Sequence, residues 1–222
     1  MDSKLIELIP TELLNTSGSV FYTGKSAWNG NRSLYILGLN PGGDNIERQR
    51  YQTLEYHTTK TNIPKKANWS EYKDEIWEGK TPGSAPHQKR IVHLLNTLEL
   101  DPREVPASNI VFKRTRGQKE LDKEFIYLAK LCWPFHEYVI RNLGVKMVVC
   151  LGRRAGNFVK NKLEAHKCID FYEEQNNRKW KSSIFTNENG LKVVIATHPS
   201  RANWLNPESD PSPIIKKHLD SI

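Results

Sequence analysis

The feature that most constrains the fold of this chain is a set of four apolar runs, each followed by a polar or turn-forming cluster. The runs are rich in Val, Ile and Leu and span residues 34–39, 109–112, 146–151 and 191–197. Amphipathic helical patterns separate them, and strands that alternate with helices favour a parallel sheet covered on both faces. We therefore predict a single α/β domain over residues 1–222, with a central, mostly parallel four-stranded sheet flanked by helices.

The segments between these runs refine the prediction. A strand at residues 182–186 leads through an Asn-Gly hairpin turn at 189–190 into the last run. One long helix is predicted over residues 119–143, with a kink at Pro134. Residues 48–86 are polar and aromatic, and a connection of this length is usually functional or disordered. We interpret it as an insertion that is either an ordinary surface segment or a substrate-facing loop.

The first and last runs end in clusters that contain residues capable of chemistry. The first run passes into residues 40–44 (Asn-Pro-Gly-Gly-Asp), and the last into residues 198–203 (His-Pro-Ser-Arg-Ala-Asn). Each cluster alone indicates only a strand that ends in a turn. In an open parallel sheet, however, the carboxyl ends of the strands line a common crevice where ligands bind. We therefore expect Asn40 and His198 to face each other across one pocket.

Together these clusters resemble the motifs of the uracil-DNA glycosylase superfamily, which are G-x-[DN]-P-[GY] near the start and H-P-S near the end. Residues 108–113 (Ser-Asn-Ile-Val-Phe-Lys) resemble a third element, T-N-x-V-K, of several branches. In those relatives its Asn hydrogen-bonds the edge of the flipped base, which implies a base-binding role for Asn109. The three motifs occur in the family's order, each at a predicted strand. The resemblance implies the family's fold and an enzyme that removes a pyrimidine base from DNA.

The chemistry of base removal suits His198. Breaking a glycosidic bond through an oxocarbenium-like transition state places negative charge on the departing base. A fixed donor aimed at the base oxygen stabilises that transition state more than it stabilises the substrate. The resemblance implies this role for His198, since the H-P-S histidine of relatives contacts the pyrimidine O2. The structural alternative is a histidine that is merely packed or solvated at a strand end.

The resemblance gives two further catalytic candidates and two base-binding ones. Asn40 stands where one branch has Asp and others have Asn, and an amide can only orient and polarise water. Asp44 would supply the missing negative charge, or it caps the segment after the turn. Gly42 lets the backbone approach the base. Tyr51 is the first aromatic residue after the motif and a candidate to stack on the base.

The formal net charge of +8 indicates a polyanionic partner, and DNA fits the motifs. The resemblance implies that Arg201 enters the duplex where the base was removed, that Ser200 contacts a phosphate and that Asn203 holds the DNA backbone. The basic cluster after the second run is expected to fix the register on DNA without reading its sequence. The predicted DNA-binding residues are Lys113, Arg114, Arg116, Ser200, Arg201 and Asn203.

The sequence departs from uracil-specific relatives, which place a Phe shortly after the first motif to close the pocket. Here no aromatic residue appears before Tyr51, and the insertion then begins. Some superfamily members act on bulky modified cytosines of phage DNA, so we expect a hydroxymethylated or glucosylated cytosine as the substrate. The alternative is uracil, stacked on Tyr51, in base-excision repair. The aromatic residues expected to form an enlarged wall are Tyr56, His57, Trp69 and Trp77.

Two interpretations of other classes remain. A non-catalytic nucleic-acid-binding module would keep the basic surface with a degenerate pocket. A nucleotide-processing enzyme ranks behind it, because the chain lacks the G-x-x-x-x-G-K pattern and a metal cluster. Three widely spaced cysteines exclude a C-x-x-C metal or cluster site and fit a reducing cytosol. With no long apolar stretch, we expect a monomeric cytoplasmic enzyme that binds DNA, no membrane and no metal or cofactor.

Overall fold

The computed structural model describes residues 3–43, 53–56, 58 and 67–221, the side chain of Gln118 excepted. Within these residues, six strands form one sheet in the order β2-β1-β3-β6-β5-β4. β1 pairs in parallel with β2 and β3, and β3 pairs in parallel with β6, whereas β5 and β4 are antiparallel additions beside β6. The strands are β1 (Leu34–Gly38), β2 (Ala107–Asn109), β3 (Met147–Leu151), β4 (Lys167–Glu173), β5 (Lys181–Thr186) and β6 (Lys192–Ala196).

The predicted α/β class with a mostly parallel sheet is confirmed, but the predicted number of four strands is wrong for the described part of the chain. The hairpin of β5 and β6 around Gly190 matches the prediction, and that glycine has a φ of +79°. β4 was missed because most of its residues are exposed, so that it has no apolar run. β2 ends at Asn109, before the buried residues 110–112 that were predicted to form the strand.

Seven α-helices flank the sheet in the described residues. One prediction about the helices is wrong. Instead of a single helix over 119–143 there are two, and Pro134 lies inside the second. Leu121 and Phe125, on either side of the break after Asp122, both reach the core, where they are 1% and 4% exposed. The helices are α1 (Ser3–Glu7), α2 (Glu71–Asp74), α3 (Pro86–Thr97), α4 (Gln118–Asp122), α5 (Phe125–Asn142), α6 (Arg153–Lys162) and α7 (Ser212–Leu219).

The core lies in two layers because successive strand residues point to opposite faces of the sheet. Tyr35 and Leu37 of β1 pack with α5 and α6 on one face, and Leu34 and Ile36 pack with α3 and α7 on the other. β1 and β3 are buried on both faces, which accounts for their continuous apolar sequences. No helix of the described residues is long and apolar enough to cross a membrane.

Candidate active site

The carboxyl ends of β1, β2, β3 and β6 meet at one edge of the sheet. Because β3 lies between β1 and β6, the strands that precede Asn40 and His198 run about 10 Å apart at ordinary strand spacing. A cleft of about 680 Å³ lies at this edge and is lined by Leu39, Gly152 and His198 among other residues. We call it the edge cleft. It brings together the ends of the first and last predicted runs.

One ring nitrogen of His198, Nδ1, is already hydrogen-bonded within the protein. Its Nδ1 lies 3.1 Å from the backbone N of Ser200 and 2.7 Å from the Ser200 hydroxyl oxygen. A backbone N–H can only donate, so Nδ1 is the acceptor and the ring hydrogen is on Nε2. Burial lowers the pKa of His198, and the positive charge of Arg201 lowers it further. His198 is therefore a neutral imidazole at neutral pH, with a donor at Nε2.

A second histidine supports this ring. His87, on α3, meets His198 edge to face, with ring centroids 5.6 Å apart. Its other side stacks on Tyr72 at 6.1 Å and contacts Trp77 at 5.7 Å. Burial, the repulsion that His198 exerts when it is protonated, and the positive charge of Arg90 lower the pKa of His87 to about 3. Sequence analysis missed His87 because it belongs to no motif and follows an ordinary helix start.

The loop of residues 198–203 is braced from two sides. Arg90 of α3 donates to the Pro199 carbonyl at 2.5 Å and to Asn203 Oδ1 at 3.2 Å. On the other side Gly152, at a φ of +102°, lies so close that a Cβ there would stand 3.1 Å from His198 Cδ2. Asn203, predicted to hold DNA, is thus bound by Arg90, and the hydroxyl of Ser200 is bound to His198.

Asn40 is held by its own amide nitrogen. Its Nδ2 donates to the Thr115 hydroxyl at 2.9 Å, to the Pro41 carbonyl at 3.0 Å and to the Lys113 carbonyl at 3.4 Å. Two of these acceptors are carbonyls, which cannot donate, so the amide nitrogen must face them. The carbonyl oxygen of Asn40 remains as its acceptor.

The predicted DNA-binding cluster after β2 also stabilises the turn after β1. The guanidinium of Arg114 donates to the Gly42 carbonyl and, at 3.2 Å, to the Ser17 hydroxyl. Lys113 forms an ion pair of 2.8 Å with Glu124. Arg116 is exposed beyond them. Arg114 and Lys113 therefore hold the loops of the site together, a role that the sequence did not indicate.

Asn109 ends β2 beside Gly38 of β1 and is 7% exposed. A Cβ on Gly38 would stand 2.1 Å from Asn109 Oδ1, so only glycine leaves room for this amide. The Tyr22 hydroxyl lies near Asn109, and burial raises the pKa of Tyr22 well above its ordinary value. The Tyr22 ring in turn lies 5.9 Å from Tyr72. An aromatic row of Tyr22, Tyr72 and His87 thus leads from Asn109 to His198.

Three of the predicted residues, Asp44, Tyr51 and His57, lie outside the described residues. Trp69 is 4% exposed and donates its indole N–H to Glu75 at 2.7 Å, so it packs inside the protein and does not form a wall. Trp77 is the insertion tryptophan that contacts His87. In the part of the chain that the structure describes, no cluster of His, Cys, Asp and Glu could hold a metal ion.

Comparison with known families gives a match over most of the chain. The model described as the uracil DNA glycosylase superfamily matches residues 26–217, a span that contains Asn40, Asn109 and His198. No curated protein matches the chain.

Proposed function

We propose that this chain, which belongs to the uracil DNA glycosylase superfamily, is a monofunctional DNA glycosylase that hydrolyses the N-glycosidic bond of a flipped pyrimidine and leaves an abasic site. The observation that carries the proposal is the hydrogen bonding of His198. Ser200 occupies Nδ1, so that the ring presents an Nε2–H donor at the edge cleft. A neutral donor in a partly desolvated site suits the stabilisation of a departing base anion.

In the proposed mechanism, the flipped base lies between His198 and Asn109. His198 donates from Nε2 to O2 of the base, and this bond strengthens as the glycosidic bond breaks and negative charge develops. Asn109 binds the opposite edge of the base with its amide. Burial strengthens both interactions because the local dielectric is lower than that of water.

Asn40 acts on the water that completes the reaction. With Nδ2 committed to three acceptors, its oxygen accepts a hydrogen from water and orients it toward the cationic sugar. An amide cannot take up a proton, so stabilisation of the leaving base contributes more to the rate than activation of water does. Asp44 is the proposed source of negative charge near the sugar, and Arg201 is proposed to enter the space that the base vacates.

Within this activity we propose a bulky modified cytosine, hydroxymethylated or glucosylated, as the preferred base. The packing of Trp77 against His87 supports this proposal, because this partly exposed aromatic residue of the insertion comes within one ring of the proposed donor. Flipping costs a few kcal/mol, which contact with a fitting pocket must offset. Uracil, removed in base-excision repair, is the alternative, and antiviral defence is the proposed role if the base is a phage modification.

The experiment is a single-turnover assay on matched duplexes that contain uracil, hydroxymethylcytosine or glucosylated hydroxymethylcytosine at one position. Alkali then cuts the strand wherever a base has been lost. We expect cutting with the wild-type chain and almost none with His198→Ala. The wild-type rate should be unchanged in excess chelator, and borohydride should trap no adduct of the protein with DNA. Faster release of uracil than of either modified cytosine would replace the preferred substrate with the alternative.

The competing function is a nucleic-acid-binding module without catalysis. It predicts retention of every duplex with no release of base, including on single strands. Release of any free base by the wild-type chain, and not by His198→Ala prepared in parallel, excludes the binding module.

A further inference from the structure

A second cleft, of about 820 Å³, meets the edge cleft at His198 and runs over one face of the sheet. It lies between α6 and β5, and we call it the α6–β5 groove. The side chains that carry the argument are Arg153, Asn157, Lys160, Trp180, Lys181 and Phe185. None of these residues belongs to the three sequence motifs.

The groove exists because α6 sits directly on β6 and leaves β5 uncovered. Gly156 of α6 lies against Ile195 of β6, where a Cβ would come within 2.6 Å of the isoleucine side chain. Ser183 pairs with Ile195 and lies on the same face of the sheet. The antiparallel addition to the sheet therefore supplies one wall of the groove, and α6 supplies the other.

Part of the positive charge in the groove is not balanced by the described residues. Lys181 is paired with Glu173 at 3.0 Å. Among the described residues, Arg153, Lys160 and Arg201 have no carboxylate within ion-pair distance. Uncompensated cations in a concave surface focus a positive potential and attract polyanions.

Aromatic rings lie among these cations. Trp180 is 39% exposed, which is unusual for so large an apolar ring, and the Arg178 guanidinium lies 4.5 Å from the centre of the ring. The Lys160 ammonium lies 4.6 Å from the centre of the partly buried Phe185 ring. Aromatic platforms interleaved with cations are the combination that binds single-stranded nucleic acid, through base stacking and phosphate pairing.

We propose that the α6–β5 groove binds single-stranded DNA next to the flipped nucleotide, with unpaired bases stacked on Trp180 and phosphates against Arg153 and Lys160. The wall from Lys181 to Phe185 is about 13 Å long at strand rise. That length accommodates about four nucleotides at 3.4 Å each. A strand in the groove continues to Arg201 and His198 at the edge cleft. The identification of the strand as the substrate's own rests on the proposed function.

The first test measures binding without catalysis. A fluorescent oligothymidine is titrated with the wild-type chain, with Trp180→Ala and with Lys160→Ala. We expect Trp180→Ala to weaken binding about tenfold, the scale of one lost stacking contact. Lys160→Ala should reduce the slope of log affinity against log salt by about 0.7, as expected for one phosphate contact on a single strand. The matched controls are Tyr127→Ala, at a 62% exposed aromatic on α5, and Lys130→Ala beside it.

The outcomes separate this proposal from the proposed function. Oligothymidine binding that is weakened by Trp180→Ala, in a chain that releases no base, supports the groove and overturns the glycosylase. Base release with Trp180→Ala no different from Tyr127→Ala in affinity overturns the groove alone. An RNA oligomer that binds more tightly than DNA, with the same loss in Trp180→Ala, overturns the assignment to DNA.

Discussion

Burial lowers the pKa of His87, His136 and His198, and of the last two only His198 borders a cleft. His136, on α5, is 0% exposed, and burial lowers its pKa to about 3. Its Nε2 donates to the Ile110 carbonyl at 3.3 Å, and its Nδ1 accepts from the Tyr35 hydroxyl at 2.9 Å. His198 also has a lowered pKa, but its Nε2 has no hydrogen-bond partner among the described residues.

The difference between the two histidines is a single hydrogen bond. Both rings are neutral and both are held in one orientation, so neither burial nor a lowered pKa distinguishes the proposed donor from the core histidine. Both ring nitrogens of His136 form hydrogen bonds inside the core, and His136 therefore contributes to stability. In His198, Nδ1 is bound to Ser200, whereas Nε2 remains available at the edge cleft to form a hydrogen bond with a substrate atom.

The largest expected effect is on the rate after His198→Ala. We expect the single-turnover rate of base release to fall by roughly 10²–10³, the scale of losing one donor to a developing anion. Affinity for a duplex with an uncleavable nucleotide should change little, because the bond strengthens only as charge develops. Quench-flow measures the rate and anisotropy the affinity. If binding collapsed while the rate on bound substrate stayed unchanged, His198 would be a phosphate contact, and the contrast with His136 as a core histidine would no longer concern catalysis.

His136→Phe is expected to lower stability and not the rate per folded molecule. The substitution leaves the Tyr35 hydroxyl and the Ile110 carbonyl buried without this partner, at a cost of about 1–3 kcal/mol for each group. Urea unfolding should therefore show a loss of about 2–6 kcal/mol, while active-site titration shows an unchanged rate. A hundredfold loss of rate in folded His136→Phe would contradict the division of roles.

Asn40 lies between these two cases. Its amide nitrogen is hydrogen-bonded inside the protein, whereas its oxygen has no hydrogen-bond partner among the described residues. Asn40→Asp places a carboxylate oxygen against the carbonyls of Pro41 and Lys113, which repel it. We expect the rate of base release to fall by about tenfold to a hundredfold, equivalent to 1.4–2.7 kcal/mol. Asn40→Ala, which removes the repulsion and the oxygen together, is the control. A faster Asn40→Asp enzyme would show that a carboxylate can act here as a base.

The stability of the protein should depend on pH through His136. Its folded pKa of about 3 lies below the ordinary 6.5, so the unfolded chain binds the proton first as pH falls. The contribution is complete above pH 6.5 and is lost between pH 6.5 and about 3, by up to about 1.4 kcal/mol per pH unit. Unfolding free energies from pH 7 to pH 4 should fall less steeply in His136→Phe than in wild type. Equal slopes would show that other groups dominate.

The smallest expected effect is a shift of the pH profile in Arg201→Gln. Protonation of His198 removes the acceptor that holds Ser200, so the rate should fall on the acid side of the His198 pKa. Arg201 helps to lower that pKa, and its removal should move the acid limb to higher pH, by less than about one unit. Arg201→Lys keeps the charge and should keep the limb in place. An identical limb in Arg201→Gln would leave burial as the only cause.

The order of these effects also indicates what a sequence can predict. His198 and Asn40 were found as candidates because each follows an apolar run and a turn motif, which are patterns of a few consecutive residues. His136 gave no signal, since a histidine on a helix reveals neither its depth nor its partners. The missed strand β4 has the same cause, because exposed residues without an apolar period resemble a loop.

By itself the sequence determined the α/β class, the strands β1, β3 and β6, and the motifs that identify the family. Those features depend on hydrophobic patterning and turn chemistry between residues close in sequence, and these local effects do not depend on the tertiary structure. Only the tertiary structure decided that His87 and Arg90 brace the His198 loop, and that Arg114 holds the turn at Gly42. These contacts join residues 72 to 111 positions apart, with 111 separating His87 from His198. They exist because the sheet order brings distant strand ends to one edge, and no local pattern encodes that order.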